Sequence, residues 1–147
     1  PFNKYFKEGY IFKKDVVKIN SISKDWVYLA QKLIGIPYKW GGRNTIGLDC
    51  SGLVQLCLEA NGIKAPRDSN LQKNMSFKEK KNINQLNKGD LIFWKGHVGI
   101  MVNQYIILHS NAYHMKVSKE PLNDVIERIK SNHLINISKI LNTNCKI

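Results

Sequence analysis

The sequence predicts an α+β fold in which helices come first along the chain and an antiparallel sheet follows. Helical periodicity covers residues 25–34 and 50–61, and short apolar runs separated by polar turns fill residues 90–118. The chain has 147 residues, of which 43% are hydrophobic, so a single domain can bury a core of its own. We therefore expect N-terminal helices packed on a sheet of five to six antiparallel strands.

The first helix is predicted over residues 25–34, where apolar side chains recur at helical spacing. Gly35 and Pro37 end this periodicity, because neither residue continues a helix easily. Ser23 or Asp25 can cap the first turn with a side-chain oxygen. This helix is expected to lie on the sheet and to lead into a loop.

The second helix is predicted over residues 50–61, after a stretch too rich in Gly and Pro to be regular structure (37–43). Asp49 is a good N-cap residue and Gly62 is a natural stop, so Cys50 falls in the first turn. The unpaired N–H groups and the positive dipole end of a helix favour a thiolate over a thiol. Cys50 is therefore a candidate nucleophile, and with an imidazolium beside it we expect a thiolate–imidazolium pair near neutral pH.

The second half of the chain predicts mostly strands. A polar stretch over residues 73–88 indicates a loop that can hold one helical turn, and apolar runs bounded by polar residues follow it. Strands are expected near residues 90–95, 97–102, 105–110, 113–118 and 133–140, with a short helix from Pro121 before the last of them. Polar residues between the runs suggest hairpins, and hence an antiparallel sheet.

Two histidines lie on neighbouring strands of this predicted sheet. His97 begins one strand and His109 lies near the end of the next. An odd hairpin loop, such as 102–104, pairs Met101 with Tyr105 and puts the two histidines opposite each other on one face. A two-residue loop would put them on opposite faces. The odd loop predicts His97 as the general base for the cysteine, with His109 holding its tautomer.

The other cysteines do not indicate a disulfide framework. Cys57 lies two helical turns from Cys50, about 10.5 Å away at 1.5 Å per residue, and a disulfide requires less than about 7 Å between Cα atoms. Cys57 is expected on the buried side of the helix, and Cys145 has no obvious partner. Neither a CxxC pair nor an HExxH helix is present, so we expect no metal ion and no cofactor.

Three stretches of the chain together resemble the NlpC/P60 cysteine peptidases of the papain-like superfamily. They are PYKWGGRNTIGLDCSGLVQ (37–55), APRDSNLQ (65–72) and LNKGDLIFWKGHVGIMV with ILHSN (86–111). The resemblance implies a papain-like NlpC/P60 fold and hydrolysis of bacterial cell-wall (peptidoglycan) peptides, between γ-D-glutamate and L-lysine or diaminopimelate. It implies that Cys50 attacks the amide carbonyl and that His97 takes the thiol proton.

The resemblance also implies roles for further residues. His109 matches the third polar position of the family, and Tyr38 matches a tyrosine whose hydroxyl joins the Cys50 N–H in an oxyanion hole. Five other residues match positions that line the substrate cleft: Asp49, Ser51, Arg67, Asp68 and Ser69. The Arg-Asp-Ser run resembles the branch that recognises a free N-terminal L-Ala and acts as a dipeptidyl-peptidase.

Members of that branch usually carry bacterial SH3-like domains before the catalytic domain. We interpret residues 1–22 as the tail of such a domain or a linker, and residues 23–147 as the catalytic domain. We expect a monomer whose N-terminal SH3-like module is missing from this sequence. Its partners would be peptidoglycan-derived peptides.

Charge and hydropathy exclude two other classes of protein. The formal net charge is +12, but 20 of the 23 basic residues are lysines spread along the chain. Nucleic-acid surfaces use arginine forks or basic clusters interleaved with aromatics, so we do not expect nucleic-acid binding. Anionic cell-wall polymer is a hypothetical partner for such a surface at low salt. No apolar run reaches 18 residues, so no membrane span is expected.

Each candidate residue also has a structural interpretation. Cys50 could be a small buried apolar residue, and the histidines could be satisfied by backbone carbonyls. Trp40 is expected to pack against its own loop, and Tyr38 could do the same. Residues 67–69 could form a turn that caps a short helix. Two other functions stay open: an inactive wall-binding module, and a thiol acyltransferase on the same scaffold.

Overall fold

The computed structural model describes residues 10, 12, 13, 25–133 and 136–146. Over these residues the chain forms a six-stranded antiparallel sheet with helices on both faces, which confirms the predicted α+β class. The helices are α1 (Trp26–Lys32), α2 (Cys50–Ala60), α3 (Ser69–Gln72) and α4 (Leu122–His133). Most of residues 1–22 lie outside the described residues, so the proposed domain boundary at residue 22 stays a prediction.

The main sheet combines four strands that are consecutive along the chain with two more distant ones. The strands are β1 (Arg43–Asn44), β2 (Gly47–Leu48), β3 (Phe77–Glu79), β4 (Asp90–Trp94), β5 (His97–Met101), β6 (Ile106–Asn111), β7 (Lys116–Pro121) and β8 (Lys139–Lys146). The order across the main sheet is β3-β8-β4-β5-β6-β7, and all neighbours run antiparallel. β1 and β2 form a separate short hairpin immediately before α2.

Three of the sequence predictions for the sheet are wrong in position. The strand predicted near residues 113–118 is β7, which is found at Lys116–Pro121. The polar stretch over residues 73–88 contains β3, whose Phe77 is buried against the core, so it is not only a loop. The closing strand begins at Lys139 rather than near residue 133, because α4 continues through His133. The predicted strand thus overlapped the end of α4 at residue 133, and periodicity alone did not separate the two elements.

Helix α2 packs on one face of the sheet. Its completely buried side chains recur at helical spacing and belong to the same core as strand residues of β4, β5 and β6: Leu53, Val54, Cys57 and Leu58. Cys57 therefore lies on the buried side of α2, as predicted. Burial raises the pKa of Cys57 to about 12, so this thiol is unreactive at neutral pH.

Helix α4 covers the opposite face of the sheet. Leu122 and Val125 pack with Trp94, Met101 and Ile107 in a second core. Because successive strand residues point to opposite faces, residues an even number of positions away on the same strand share a face: His97 is four positions from Met101, and His109 is two from Ile107. This alternation places His97 and His109 on the α4 face. Within the described part of the chain, no helix has the length and apolar character needed to cross a bilayer.

Candidate active site

Helix α2 begins at Cys50 because Asp49 caps it. Asp49 has an extended backbone, and its Oδ1 accepts a hydrogen bond of 2.7 Å from the Gly52 N–H. The Cys50 side chain therefore lies in the first helical turn, as the sequence predicts, where backbone N–H groups are unpaired by the helix. Cys50 is 8% exposed, and it lines two cavities that meet at its side chain.

The glycine-rich loop before α2 fixes the backbone around this thiol. A Cβ on Gly52 would lie 2.5 Å from the Gly42 carbonyl oxygen, and a Cβ on Gly42 would lie 2.4 Å from the Gly47 carbonyl oxygen. Backbone atoms cannot move away as a flexible side chain can, so both positions require glycine. The Gly41 N–H adds a hydrogen bond of 2.8 Å to Asp49 Oδ2.

His97 and His109 contact each other directly. His97 Nε2 lies 2.7 Å from His109 Nδ1, and the ring centroids are 5.0 Å apart. His97 is half-buried and lines a cavity together with Cys50, whereas His109 is almost completely buried. The structure therefore brings the three predicted catalytic side chains to one place. Their roles stay a prediction.

The loop between β5 and β6 is odd, as the catalytic interpretation requires, but the predicted register is wrong. Met101 pairs with Ile107 rather than with Tyr105, so the hairpin loop is longer than 102–104. The shift is two residues, and an even shift keeps every side chain on the same face. The two histidines therefore share a face although they are not directly opposite.

Gly99 explains how the two rings meet in this register. Extending the register by one residue from the Ile100–Leu108 pair puts Gly99 opposite His109, so His97 is the diagonal neighbour of His109. A Cβ on Gly99 would lie 2.4 Å from Ile107 Cδ1 and 3.5 Å from His109 Cβ. The absence of a side chain at Gly99 leaves the space across which His109 reaches His97.

Glu120 and Arg128 continue the contact between the histidines, and the sequence analysis missed both. His109 Nε2 lies 2.7 Å from Glu120 Oε1. Arg128, on α4, donates hydrogen bonds of 2.8 Å to each of the two Glu120 oxygens. A usable signal was the rarity of arginine, because only three of the 23 basic residues are Arg.

Burial determines the protonation of the thiol and its neighbouring imidazole. Burial raises the pKa of Cys50, and the nearby Asp49 charge acts in the same direction. Burial also lowers the pKa of His97 to about 3, with His109 and Arg128 contributing. Both shifts run against the thiolate–imidazolium pair expected from the helix dipole, because loss of hydration favours the neutral form of each group.

Two cavities open on either side of Cys50. The α4-side cavity has a volume of about 450 Å³, and its lining includes Tyr38, His97, Trp94, Val125 and Ile129. The α3-side cavity has a volume of about 580 Å³, and its lining includes the five residues assigned to the substrate cleft: Asp49, Ser51, Arg67, Asp68 and Ser69. A peptide bond placed at the Cys50 sulfur would thus have one half in each cavity.

Asp49 is the centre of a hydrogen-bonded cluster in the α3-side cavity. Arg67 donates to Asp49 Oδ1 at 2.9 Å and to Oδ2 at 2.6 Å. It also donates to Ser51 Oγ at 2.9 Å and to the Gly42 carbonyl at 3.3 Å. The Asp49 hydrogen bond and charge raise the pKa of Arg67, so its guanidinium stays charged. Asp49 and Arg67 are thus largely occupied by each other.

Asp68 and Ser69 line the same cavity but are less constrained. Asp68 occupies the N-cap position of α3, yet its side chain makes no capping hydrogen bond and is exposed. The completely buried Gln72, which the sequence analysis missed, ties this segment to α2. Its Nε2 donates to the Ser51 carbonyl at 2.9 Å and to the Pro66 carbonyl at 2.8 Å.

Tyr38 and Trp40 differ in their surroundings. Tyr38 is half-buried beside Cys50, and burial together with the Cys50 and Asp49 charges raises the pKa of its phenol. The hydroxyl therefore stays protonated as a hydrogen-bond donor. The prediction that Trp40 packs against its own loop is wrong, because its side chain is 80% exposed at the α3-side cavity.

No group of three or more His, Cys, Asp or Glu side chains among the described residues is arranged to hold a metal ion. The titratable side chains of the site instead form hydrogen-bonded pairs: His97 with His109, and Glu120 with Arg128. Proton transfer and hydrogen bonding are therefore the chemistry that these residues can supply.

Comparison with known proteins finds the family that the sequence motifs resemble, over most of the chain. The sequence model of the NlpC/P60 family matches residues 35–136. The chain is 34% identical over 98 residues to dipeptidyl-peptidase 6 of Lysinibacillus sphaericus, covering 67% of this chain and 36% of that protein. It is 34% identical over 107 residues to a γ-D-glutamyl-L-lysine dipeptidyl-peptidase of Bacillus cereus, covering 67% of this chain and 32% of that protein.

A solved structure shows the same fold. An NlpC/P60 family protein from Bacillus cereus superposes with a TM-score of 0.67 at 28% identity, covering 80% of this chain and 39% of that one. The chain spans about a third of the length of the curated relatives that it matches.

Proposed function

The chain belongs to the NlpC/P60 family, and on that premise we propose that it is a cysteine peptidase of bacterial peptidoglycan. One observation carries the proposal: Cys50 stands at the start of α2 in the same cavity as His97, whose Nε2 is bonded to His109. The bond cleaved is the amide between γ-D-glutamate and L-lysine or diaminopimelate. The name of the Bacillus cereus relative supports this choice.

In the proposed reaction, His97 acts through its Nδ1 atom, because Nε2 is committed to His109. As the Cys50 sulfur attacks the amide carbonyl, His97 takes the thiol proton and then gives it to the leaving amine. The γ-D-glutamyl group is left on the sulfur as a thioester. Water, deprotonated by His97, hydrolyses this thioester and restores the thiol. Because burial favours the neutral form of both groups, we infer that proton transfer accompanies the attack.

Tyr38 completes the site as an oxyanion donor. Its phenol lines the α4-side cavity beside Cys50 and stays protonated. Together with the Cys50 N–H in the first turn of α2, the hydroxyl would stabilise the negative oxygen of the tetrahedral intermediate. Loss of one such donor costs on the order of a hundredfold in rate or more.

We assign one half of the substrate to each of the two cavities. We place the L-Ala-γ-D-Glu half in the α3-side cavity and the leaving diamino acid in the α4-side cavity. Asp49 already accepts hydrogen bonds from Gly41, Gly52 and Arg67, so it is poorly placed to bind a free amine. Asp68 is exposed in the same cavity, and we assign it to the N-terminal ammonium of L-Ala.

The test is hydrolysis of L-Ala-γ-D-Glu-L-Lys with products identified by mass spectrometry. We expect L-Ala-γ-D-Glu and free lysine from the wild-type protein and no turnover from Cys50→Ala. Cys57→Ala is the matched control, because Cys57 lies on the same helix but is completely buried. Normal hydrolysis by Cys50→Ala would overturn the proposal.

Two further substrates refine the assignment. An N-acetylated tripeptide should be cleaved more slowly if Asp68 binds the free ammonium, and equally fast cleavage would remove that requirement. Transfer of the acyl group to a lipid amine, with no hydrolysis, would instead indicate a thiol acyltransferase.

A further inference from the structure

Glu120 occupies an unusual position behind the two histidines. It lies on β7, on the face of the sheet that α4 covers, and its side chain is 9% exposed. Its Oε1 lies 2.7 Å from His109 Nε2, and both of its oxygens accept hydrogen bonds from Arg128. A nearly buried carboxylate with this partner set is fixed in position and orientation.

The order of hydrogen bonds determines where each proton lies. A carboxylate can only accept hydrogen bonds, so His109 must carry its proton on Nε2 to satisfy Glu120. His109 Nδ1 is then an acceptor, and the bond of 2.7 Å to His97 requires the His97 proton on Nε2. His97 Nδ1 is left unprotonated, which is the form that can take a proton from the Cys50 thiol.

The two histidines alone do not select this arrangement. A pair of neutral imidazoles can form the same hydrogen bond in the reverse direction, with His109 Nδ1–H donating to His97 Nε2. In the reversed pair, His97 carries its proton on Nδ1 and cannot act as a base toward the thiol. The Glu120 carboxylate disfavours this reversed pair, because it requires the His109 proton on Nε2 rather than on Nδ1.

We propose that Glu120, held by Arg128, is a positioning residue that sets the tautomers of both histidines and so makes His97 a base. This inference rests on the proposed peptidase function and extends it to a chain of four side chains behind the sulfur. Arg128 keeps the acceptor ionised and aligned through its two hydrogen bonds.

The charges around Glu120 agree with an acceptor that stays ionised. Burial alone would raise the pKa of Glu120, but hydrogen bonds from His109 and Arg128 hold it at about 2. His114 also faces this carboxylate, with Nε2 at 3.3 Å from Oε1, and Asp124 lines a neighbouring cavity with Glu120. The carboxylate therefore persists over the pH range in which a peptidase would be assayed.

The direct test is nitrogen-15 NMR of the histidine rings, which distinguishes the two neutral tautomers and needs no turnover. In the wild-type protein we expect both His97 and His109 to carry the proton on Nε2. In Glu120→Gln, whose amide can donate as well as accept, we expect a second tautomer to appear on both rings. Unchanged Nε2–H tautomers in Glu120→Gln would overturn the proposal.

Kinetics provide a second readout that a purely structural ion pair would not give. Glu120→Gln should lower kcat about tenfold to a hundredfold and leave KM nearly unchanged, because general-base catalysis is worth about 10²–10⁴. Glu79→Gln is the matched control, since Glu79 pairs with Lys139 on the same sheet, far along the strand order from the site. Equal effects of the two substitutions would contradict the proposal.

A double-mutant cycle tests whether Glu120 acts through His109. His109→Asn removes the second ring, so adding Glu120→Gln to it should cost little more. Full additivity of the two losses in kcat would contradict the proposed chain of hydrogen bonds.

If Glu120→Gln does not fold, Glu120→Asp serves instead. It should keep the Nε2–H tautomers with a smaller loss of kcat, and mixed tautomers there would count against the proposal. Inactive wild-type protein with correct tautomers would refute the peptidase function alone.

Discussion

Two arginine–carboxylate pairs flank Cys50, and they differ in what else shares the carboxylate. In the α3-side cavity, the remaining hydrogen bonds to Asp49 come from the Gly41 and Gly52 N–H groups and from the Ser51 hydroxyl. On the α4 side, the remaining contacts to Glu120 come from two imidazole rings, His109 at 2.7 Å and His114 at 3.3 Å. The first carboxylate is joined to groups that do not titrate, whereas the second is joined to rings that can gain or lose a proton.

The same kind of ion pair therefore serves a different purpose on each side of Cys50. The pair of Asp49 and Arg67 binds the glycine loop, the start of α2 and the segment that follows it into one rigid wall. The pair of Glu120 and Arg128 orients a proton acceptor. We therefore expect damage to the first pair to affect stability and substrate binding, and damage to the second to affect the chemical step.

Among the histidine substitutions, the largest effect is expected at His97, the proposed general base. His97→Gln removes the general base and should lower kcat about a thousandfold, with the melting temperature nearly unchanged because His97 is only half-buried. Steady-state kinetics with L-Ala-γ-D-Glu-L-Lys and a thermal unfolding curve measure both quantities. A His97→Gln protein within about tenfold of wild-type activity would show that another group is the base.

Replacing each arginine in turn tests whether the two ion pairs serve different purposes. Arg67→Met breaks four hydrogen bonds and leaves a nearly buried Asp49 without its counter-ion, so unfolding should become easier by about 3 kcal/mol. KM should rise because the α3-side wall loosens. Urea unfolding and Michaelis–Menten kinetics are the measurements.

The partner substitution, Arg128→Met, is the matched comparison. It breaks two hydrogen bonds and leaves Glu120 in contact with His109, so we expect a loss of about 2 kcal/mol. Its kinetic effect should fall on kcat, about tenfold, with little change in KM. The same pattern of kcat and KM in the two variants would erase the distinction between the pairs.

A smaller effect is expected when the second ring is replaced by an amide. His109→Gln keeps a hydrogen-bond acceptor for His97 but loses the bond that Glu120 makes, so about a tenth of the activity should remain. The assay is turnover of the same tripeptide. A loss as large as that of Cys50→Ala would mean that His109 takes part in the chemistry itself.

The pH dependence of Cys50 alkylation tests the resting protonation state. Because burial raises the pKa of this thiol and lowers that of His97 to about 3, the thiolate fraction should climb steadily as the pH rises through 7 to 9. Iodoacetamide labelling of the Cys50 peptide, read by mass spectrometry, measures the rate. A plateau of high reactivity beginning near pH 5 would instead indicate the thiolate–imidazolium pair.

The sequence predicted the parts of the site that depend on local patterns. Asp49 as a cap, Cys50 in the first turn and the shared face of the two histidines all follow from short-range periodicity. The register between β5 and β6 did not follow, because turn length is decided by backbone hydrogen bonds that composition does not reveal. The error was two residues, and an even shift leaves both histidines on the same face of the sheet.

Contacts across elements were beyond sequence reasoning. Glu120 meets Arg128 only because β7 extends past residue 118 and α4 folds back over the sheet. Gln72 reaches the Ser51 carbonyl across a loop, a contact with no periodic signature. The balance between burial and the helix dipole at Cys50 also depends on the tertiary environment, which the local pattern around Cys50 does not reveal.

The most direct test of the central claim is to trap the acyl-enzyme. Rapid acid quenching of the protein with L-Ala-γ-D-Glu-L-Lys, followed by mass spectrometry of its peptides, should find the L-Ala-γ-D-Glu group as a thioester on Cys50 alone. Lysine should be released in a burst equal to the enzyme concentration if hydrolysis of that thioester is slow. Turnover of the tripeptide by a protein in which Cys50 is replaced by Ala, or an adduct on any other residue, would contradict the account.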